Sequence, residues 1–101
     1  MKLITALILL CAATAASANP FPSGNALAGQ KLFEKHNCNH CHNEIMRGDG
    51  NKIFTRITRI VNSPSGMIEQ IGRCSGNVNA HLTPQETQDI AAYLNRYYKL
   101  K

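Results

Sequence analysis

The chain has 101 residues, 44% of them hydrophobic and 17% charged, with 11 Lys and Arg against 6 Asp and Glu and a formal net charge of +5. That length holds one small domain and the balance is globular, which leaves little room for a multi-domain enzyme, a disordered chain or repeated membrane crossings. Three Phe, three Tyr and no Trp argue against a large aromatic core, so a domain this small gains from any cofactor, metal or disulfide that enlarges what it buries.

Residues 1–18, MKLITALILLCAATAASA, carry the marks of an export signal. Lys2 supplies the positive start, Leu3 to Ala16 the apolar stretch, and Ala16-Ser17-Ala18 a small-x-small cleavage site. The apolar stretch is shorter than the ~20 residues a spanning helix needs, so cleavage after Ala18 is expected, with no membrane span afterwards. Cys11 follows Leu10, where a lipidation site has a small residue, and it leaves with the leader. The expected product is one domain over residues 19–101, exported to the periplasm and keeping Cys38, Cys41 and Cys74. An odd cysteine in an oxidising compartment calls for an explanation.

Asn19–Gly24 is a turn-rich lead-in. Asn25 is placed to cap a helix running to about Lys35, with Ala28, Gly29, Leu32 and Phe33 towards one side. The stretch from His36 to Lys52 is rich in Asn, His and Gly, and Asp49-Gly50 marks a tight turn. Ile53–Val61 has β-branched residues in approximate alternation, but a chain this short offers it no pairing strand, so it reads as extended or irregular. Pro64 opens a helix over Pro64–Asn77, in which Met67, Ile71 and Cys74 share a face and Ile68 adjoins them. Thr83-Pro84-Gln85-Glu86 is a capping box with proline at the first helical position. Ile90, Leu94 and Tyr97 then recur at helical spacing, with Ala91 and Tyr93 beside them and Lys99 and Lys101 near the negative end. The sum is an all-α domain of three or four short helices.

Cys38-Asn39-His40-Cys41-His42 is C-x-x-C-H, the attachment signature of c-type haem. Two thiols three positions apart can add to the two vinyl groups on one porphyrin edge, and the histidine that follows is placed to bind the iron. A covalently held haem would bury apolar surface that a short chain lacks. Two other readings compete. A C-x-x-C redox pair is disfavoured because no βαβ pattern surrounds it. Zinc would draw on His36, His40 and the motif, yet Cys74 and His81 do not form a standard second ligand pair.

With the motif in view, the sequence resembles the class I monohaem cytochromes c over most of residues 19–101. Gly29 and Phe33 match the glycine and aromatic that precede the motif in that family, and Ile90-Ala91-Ala92-Tyr93-Leu94 is similar to its C-terminal helix. The resemblance implies a small all-α fold of three to four helices around one covalent haem c, bound through Cys38 and Cys41 with His42 as proximal iron ligand.

The distal side departs from the family pattern. A class I distal Met stands well after the motif in a loop, often beside proline, whereas Met67 follows His42 closely and lies inside a helix. Met46 is too near His42 and reads as packing. Cys74 is unpaired once Cys38 and Cys41 hold haem, and a thiolate bound to iron is protected from oxidation. Gly72-Arg73-Cys74, Asn77 and Leu82–Glu86 are similar to a His/Cys-ligated subgroup of small cytochromes, some heterodimeric, and to high-spin, oxygen-binding ones with a weak distal Asn. The distal ligand is therefore open among Cys74, favoured here, Met67 as the alternative, and no strong ligand or one of Asn77, Asn79 and His81. Arg73 is placed either to stabilise a thiolate or to face solvent, and His36 and His40 are expected near the haem edge.

Three functions fit. One is a periplasmic electron carrier with no substrate of its own. Another is a haem protein that binds NO, CO or oxygen. The third is a subunit of a haem enzyme or of a paired cytochrome complex, as a homo- or heterodimer. No second catalytic constellation is present, so an enzyme is not expected. Arg47, Lys52, Arg56 and Arg59 form a basic segment that is a solvated face, a dock for an acidic redox partner, or counter-charge for carboxylates within the protein. Nucleic acid is not an expected partner for an exported chain of this kind.

Overall fold

A computed structural model describes residues 19–101. The expected leader, with Lys2, Cys11 and the site at Ala16–Ala18, lies outside the described residues. Within them the fold is all-helical: α1 (Ala26–Lys35), α2 (His40–Ile45), a 3₁₀ helix (Gly50–Phe54), α3 (Pro64–Asn77) and α4 (Pro84–Tyr98), with no strand. None of these helices is long and apolar enough to cross a membrane.

Each long helix starts where a side chain relieves its unpaired amides. Asn25 Oδ1 accepts from the Ala28 N–H at 3.0 Å, and Ser63 Oγ accepts from the Gly66 N–H at 3.1 Å. At α4 the capping box closes both ways, Thr83 Oγ1 accepting from the Glu86 N–H at 3.1 Å and Glu86 Oε1 from the Thr83 N–H at 3.0 Å. Those bonds hold the exposed Glu86 carboxyl below the usual range. α4 ends at Lys99, which turns left-handed at φ 52°. Asn95 Oδ1 then accepts from the Leu100 N–H at 2.7 Å and folds the buried Leu100 back onto the core.

α1 and α4 share the most extensive helix contact, and Gly29 is the reason they can approach so closely. A Cβ at Gly29 would run into the backbone carbonyl of Asp89, so only glycine lets the helices cross there. Asp89 is itself buried. Its Oδ1 accepts from the Asn25 N–H and from Gln85 Nε2, both at 2.9 Å, which ties α4 to the start of α1.

Three expectations change. The motif region is not only loop, because His40–Ile45 winds into α2. Asn43 Oδ1 accepts from the Gly50 N–H at 2.8 Å, and the Asn43 C=O accepts from the Gly48 N–H at 3.0 Å, so the following loop folds against this short helix. The turn at Asp49-Gly50 becomes the start of the 3₁₀ helix, capped where Asp49 Oδ1 accepts from the Asn51 N–H at 3.0 Å. Of Ile53–Val61, expected to be extended or irregular, Ile53 and Phe54 end the 3₁₀ helix and only Thr55–Val61 is irregular.

The aromatic residues are few but concentrated. Phe33, Phe54, Tyr93, Tyr97 and Tyr98 form one connected cluster with ring centroids 5.5–6.1 Å apart. The expectation of a core without much aromatic character is therefore wrong: composition counts rings and does not say that they gather.

Candidate functional site

α3 packs against α4, and α2 packs against the 3₁₀ helix, while the backbone of α3 stays more than 8 Å (Cα to Cα) from both α2 and the 3₁₀ helix. Between these two parts lies a mostly apolar crevice, partly open to solvent. Cys38, His42 and Phe54 line it from one part, Met67, Gln70, Ile71 and Cys74 from α3, and Ile90, Leu94 and Tyr98 from α4.

Of the C-x-x-C-H residues, Cys38 and His42 line the crevice, whereas Cys41 is exposed and lies outside the lining. The Cys38 N–H donates to the Phe33 C=O at 3.1 Å, which anchors the motif to the end of α1. Burial pushes the Cys38 thiol up, and the nearby Cys74 sulfur adds to the shift. Two thiols from opposite ends of the fold thus sense each other in one crevice. Burial pulls His42 below its ordinary value, and the Arg56 charge pulls in the same direction. Both effects favour neutral imidazole, the form that binds a metal.

The His42 ring is fixed from two sides. Its Nδ1 lies 2.8 Å from Asn39 Oδ1, and Phe54 meets it edge-on at 5.5 Å and 86°. Asn39 Nδ2 donates to Asn51 Oδ1 at 2.7 Å, and Asn51 Nδ2 donates to the Tyr97 hydroxyl at 3.2 Å. Nδ1 is thus engaged, and Nε2 is the nitrogen left to take a ligand.

The distal candidates separate clearly. Met67, 1% exposed, and Cys74, half-buried, both line the crevice, as their shared helix face implies. Gln70 Nε2 donates to Cys74 Sγ at 3.5 Å. Asn77, Asn79 and His81 are exposed and outside the lining, as is the half-buried Met46. Arg73 turns to solvent and pairs with Glu69 at 2.7 Å, away from Cys74. His40 pairs with Glu44 at 3.5 Å on the exposed face of α2, and His36 closes the end of α1. Neither histidine lines the crevice, because α2 turns His40 away from His42.

The chain matches no family model, no curated protein and no solved structure.

The basic segment divides. Arg56 and Arg59 line the crevice, while Arg47 and Lys52 are exposed away from its lining. Arg59 also braces the fold: its Nη1 donates to the Phe54 and Tyr98 carbonyls at 3.4 and 3.3 Å, and its guanidinium lies 5.1 Å from the Tyr98 ring centre. Among the described residues, no three His, Cys, Asp or Glu side chains gather as a cage for a bare metal ion. The donors that do share the crevice are one imidazole and the sulfurs of Cys38, Cys74 and Met67.

Sequence reasoning missed Asn39, Asn51, Tyr97 and Gln70. Gln70 was accessible, since it stands one helical turn before Cys74. The path from Asn39 through Asn51 to Tyr97 joins three separate segments and leaves no local signal.

Proposed function

We propose that the protein is a periplasmic monohaem c-type cytochrome that transfers electrons. In this reading the haem is joined through Cys38 and Cys41, with its iron between His42 and Cys74. The observation that carries the proposal is that α2 and α3 keep their backbones more than 8 Å apart (Cα to Cα) while His42 from α2 and Cys74 from α3 line one apolar crevice. The donor chemistry fits a haem, and no other arrangement of the described residues offers both a thiol pair in that motif and a soft distal donor.

When bound, the haem iron supplies a one-electron couple. The chain's own residues hold it and tune it. Asn39 and Phe54 fix the His42 ring so that Nε2 is available. Gln70 donates to the Cys74 sulfur and holds it in place. Phe54, Ile71 and Leu94 give the crevice apolar walls, while Arg56 and Arg59 add positive charge to its lining, suited to the haem carboxylates. Met67 fills space beside Cys74 and is the alternative ligand.

Membership of a paired complex has support of its own. Ile45 and Ile57 are exposed, and Arg47, Lys52 and Arg56 lie close to them in sequence. Such a face suits an acidic redox partner or a second small cytochrome. Binding of NO, CO or oxygen becomes the better reading if the Cys74 sulfur leaves on reduction.

The test is denaturing electrophoresis of periplasmic protein made with the c-type maturation machinery. The band is expected to keep haem peroxidase stain through acid-acetone extraction and to lose it in the Cys38→Ala, Cys41→Ala double variant. Zinc in place of iron by metal analysis, or stain lost to acid acetone, would overturn the proposal.

A further inference from the structure

A hydrogen-bonded relay runs from α4 to the His42 ring. Tyr93 and Tyr97 hydroxyls lie 3.4 Å apart, the Tyr97 hydroxyl accepts from Asn51 Nδ2 at 3.2 Å, Asn51 Oδ1 accepts from Asn39 Nδ2 at 2.7 Å, and Asn39 Oδ1 lies 2.8 Å from His42 Nδ1. We infer that Asn39, held by Asn51, is a positioning residue that sets the tautomer and electron-donating strength of His42 toward the haem iron. The inference rests on the haem reading above and extends it to residues that no local motif explains.

In the structure the direction of each amide matches its neighbours. With both Asn51 bonds in place, its oxygen faces Asn39 and its NH₂ faces Tyr97. Asn39 must then turn its NH₂ to Asn51 and its oxygen to His42. An oxygen beside Nδ1 accepts only if Nδ1 carries the proton, so the neutral ring keeps its lone pair on Nε2. Flipping Asn39 would set two oxygens against each other at 2.7 Å and select the tautomer that cannot bind metal through Nε2. Groups behind a metal-bound histidine orient it and raise its basicity, typically at the level of ~10–100-fold in affinity or activity. A neutral amide acceptor does this mildly. A carboxylate in the same place would draw the Nδ1 proton further and push more electron density onto the iron, favouring the ferric state.

The test compares Asn39→Asp, Asn39→Ala and Asn51→Ala in the haem-loaded protein by midpoint potential and by solvent exchange of the His42 Nδ1 proton, read by NMR in the ferrous state. Asn39→Asp has nearly the shape of asparagine but its charge alone favours ferric iron, so the readout that a merely structural role would not move is Nδ1 exchange in Asn51→Ala, where no charge changes. The inference expects it to shift the reduced-to-oxidised ratio toward ferric by about tenfold, a fall of about 59 mV for one electron. Asn51→Ala leaves the C-x-x-C-H motif intact and should speed Nδ1 proton exchange about tenfold or more, as should Asn39→Ala. Haem-stained protein whose potential ignores Asn39→Asp and whose Nδ1 exchange ignores Asn51→Ala overturns the inference and leaves the haem reading standing. Absence of covalent iron overturns both.

Discussion

The α1–α4 pair and the crevice part of the chain reach their folds by different means. α1 and α4 cross at Gly29, are tied by Asp89 to Asn25, and start at full side-chain caps. Nothing foreign is needed where they cross, although Ile90, Leu94 and Tyr98 of α4 also line the crevice. α2 and the 3₁₀ helix line a common space with α3 while their backbones stay apart from it. The exposed Ile45, Ile57 and Ile60 also belong to this part. An apolar gap of this kind is the space that the proposed haem would fill.

The largest expected effect is loss of the haem. Protein made without c-type maturation should keep slow amide exchange in α1 and α4 and lose it in α2, the 3₁₀ helix and α3, because local stability follows local packing. Hydrogen exchange read segment by segment checks this. Equal protection in both parts would erase the contrast between them.

Gly29→Ala attacks the self-sufficient part. The new methyl group meets the Asp89 carbonyl, and overpacking of this kind costs roughly 1–3 kcal/mol. Denaturant unfolding of the haem-loaded protein should show that loss while the haem spectrum of the still-folded protein stays unchanged. A variant as stable as the parent would mean that the helices do not cross there.

Thr83→Ala sharpens the same contrast at smaller scale, since losing an N-cap costs roughly 0.5–2 kcal/mol. A pH dependence should go with it. The Glu86 carboxyl is held below its unfolded value by Thr83, so its contribution is present above the ordinary glutamate range and fades as pH falls through the lowered value. In Thr83→Ala that acid-side loss should shrink. An acid unfolding limb identical in parent and variant would contradict the capping account.

These two parts were also unequally legible in the sequence. Asn25, Pro64 and the Thr83–Glu86 box mark their helices because a cap is a local arrangement of neighbouring residues. The shared face of Met67, Ile71 and Cys74 was visible for the same reason, being one helix repeat. α2 was not visible, because its Asn and His residues are weak helix formers and its order comes from Asn43 and Gly50 across a loop. The exclusion of Asn77, Asn79 and His81, the turning of Arg73 to Glu69 and the relay through Asn39 depend on contacts between separate segments or on which way a helix faces.

The central claim is that the crevice holds a haem iron between His42 and Cys74. Absorption spectra and midpoint potentials of Cys74→Ser and Met67→Ala, each beside the parent, test it most directly. The account predicts that Cys74→Ser alters the ferric low-spin spectrum and raises the potential, since a thiolate favours ferric iron. Met67→Ala should leave the ligand bands in place and cost stability alone, roughly 2–5 kcal/mol for a buried methionine. A near-infrared sulfur-to-iron band that vanishes in Met67→Ala and persists in Cys74→Ser would contradict it.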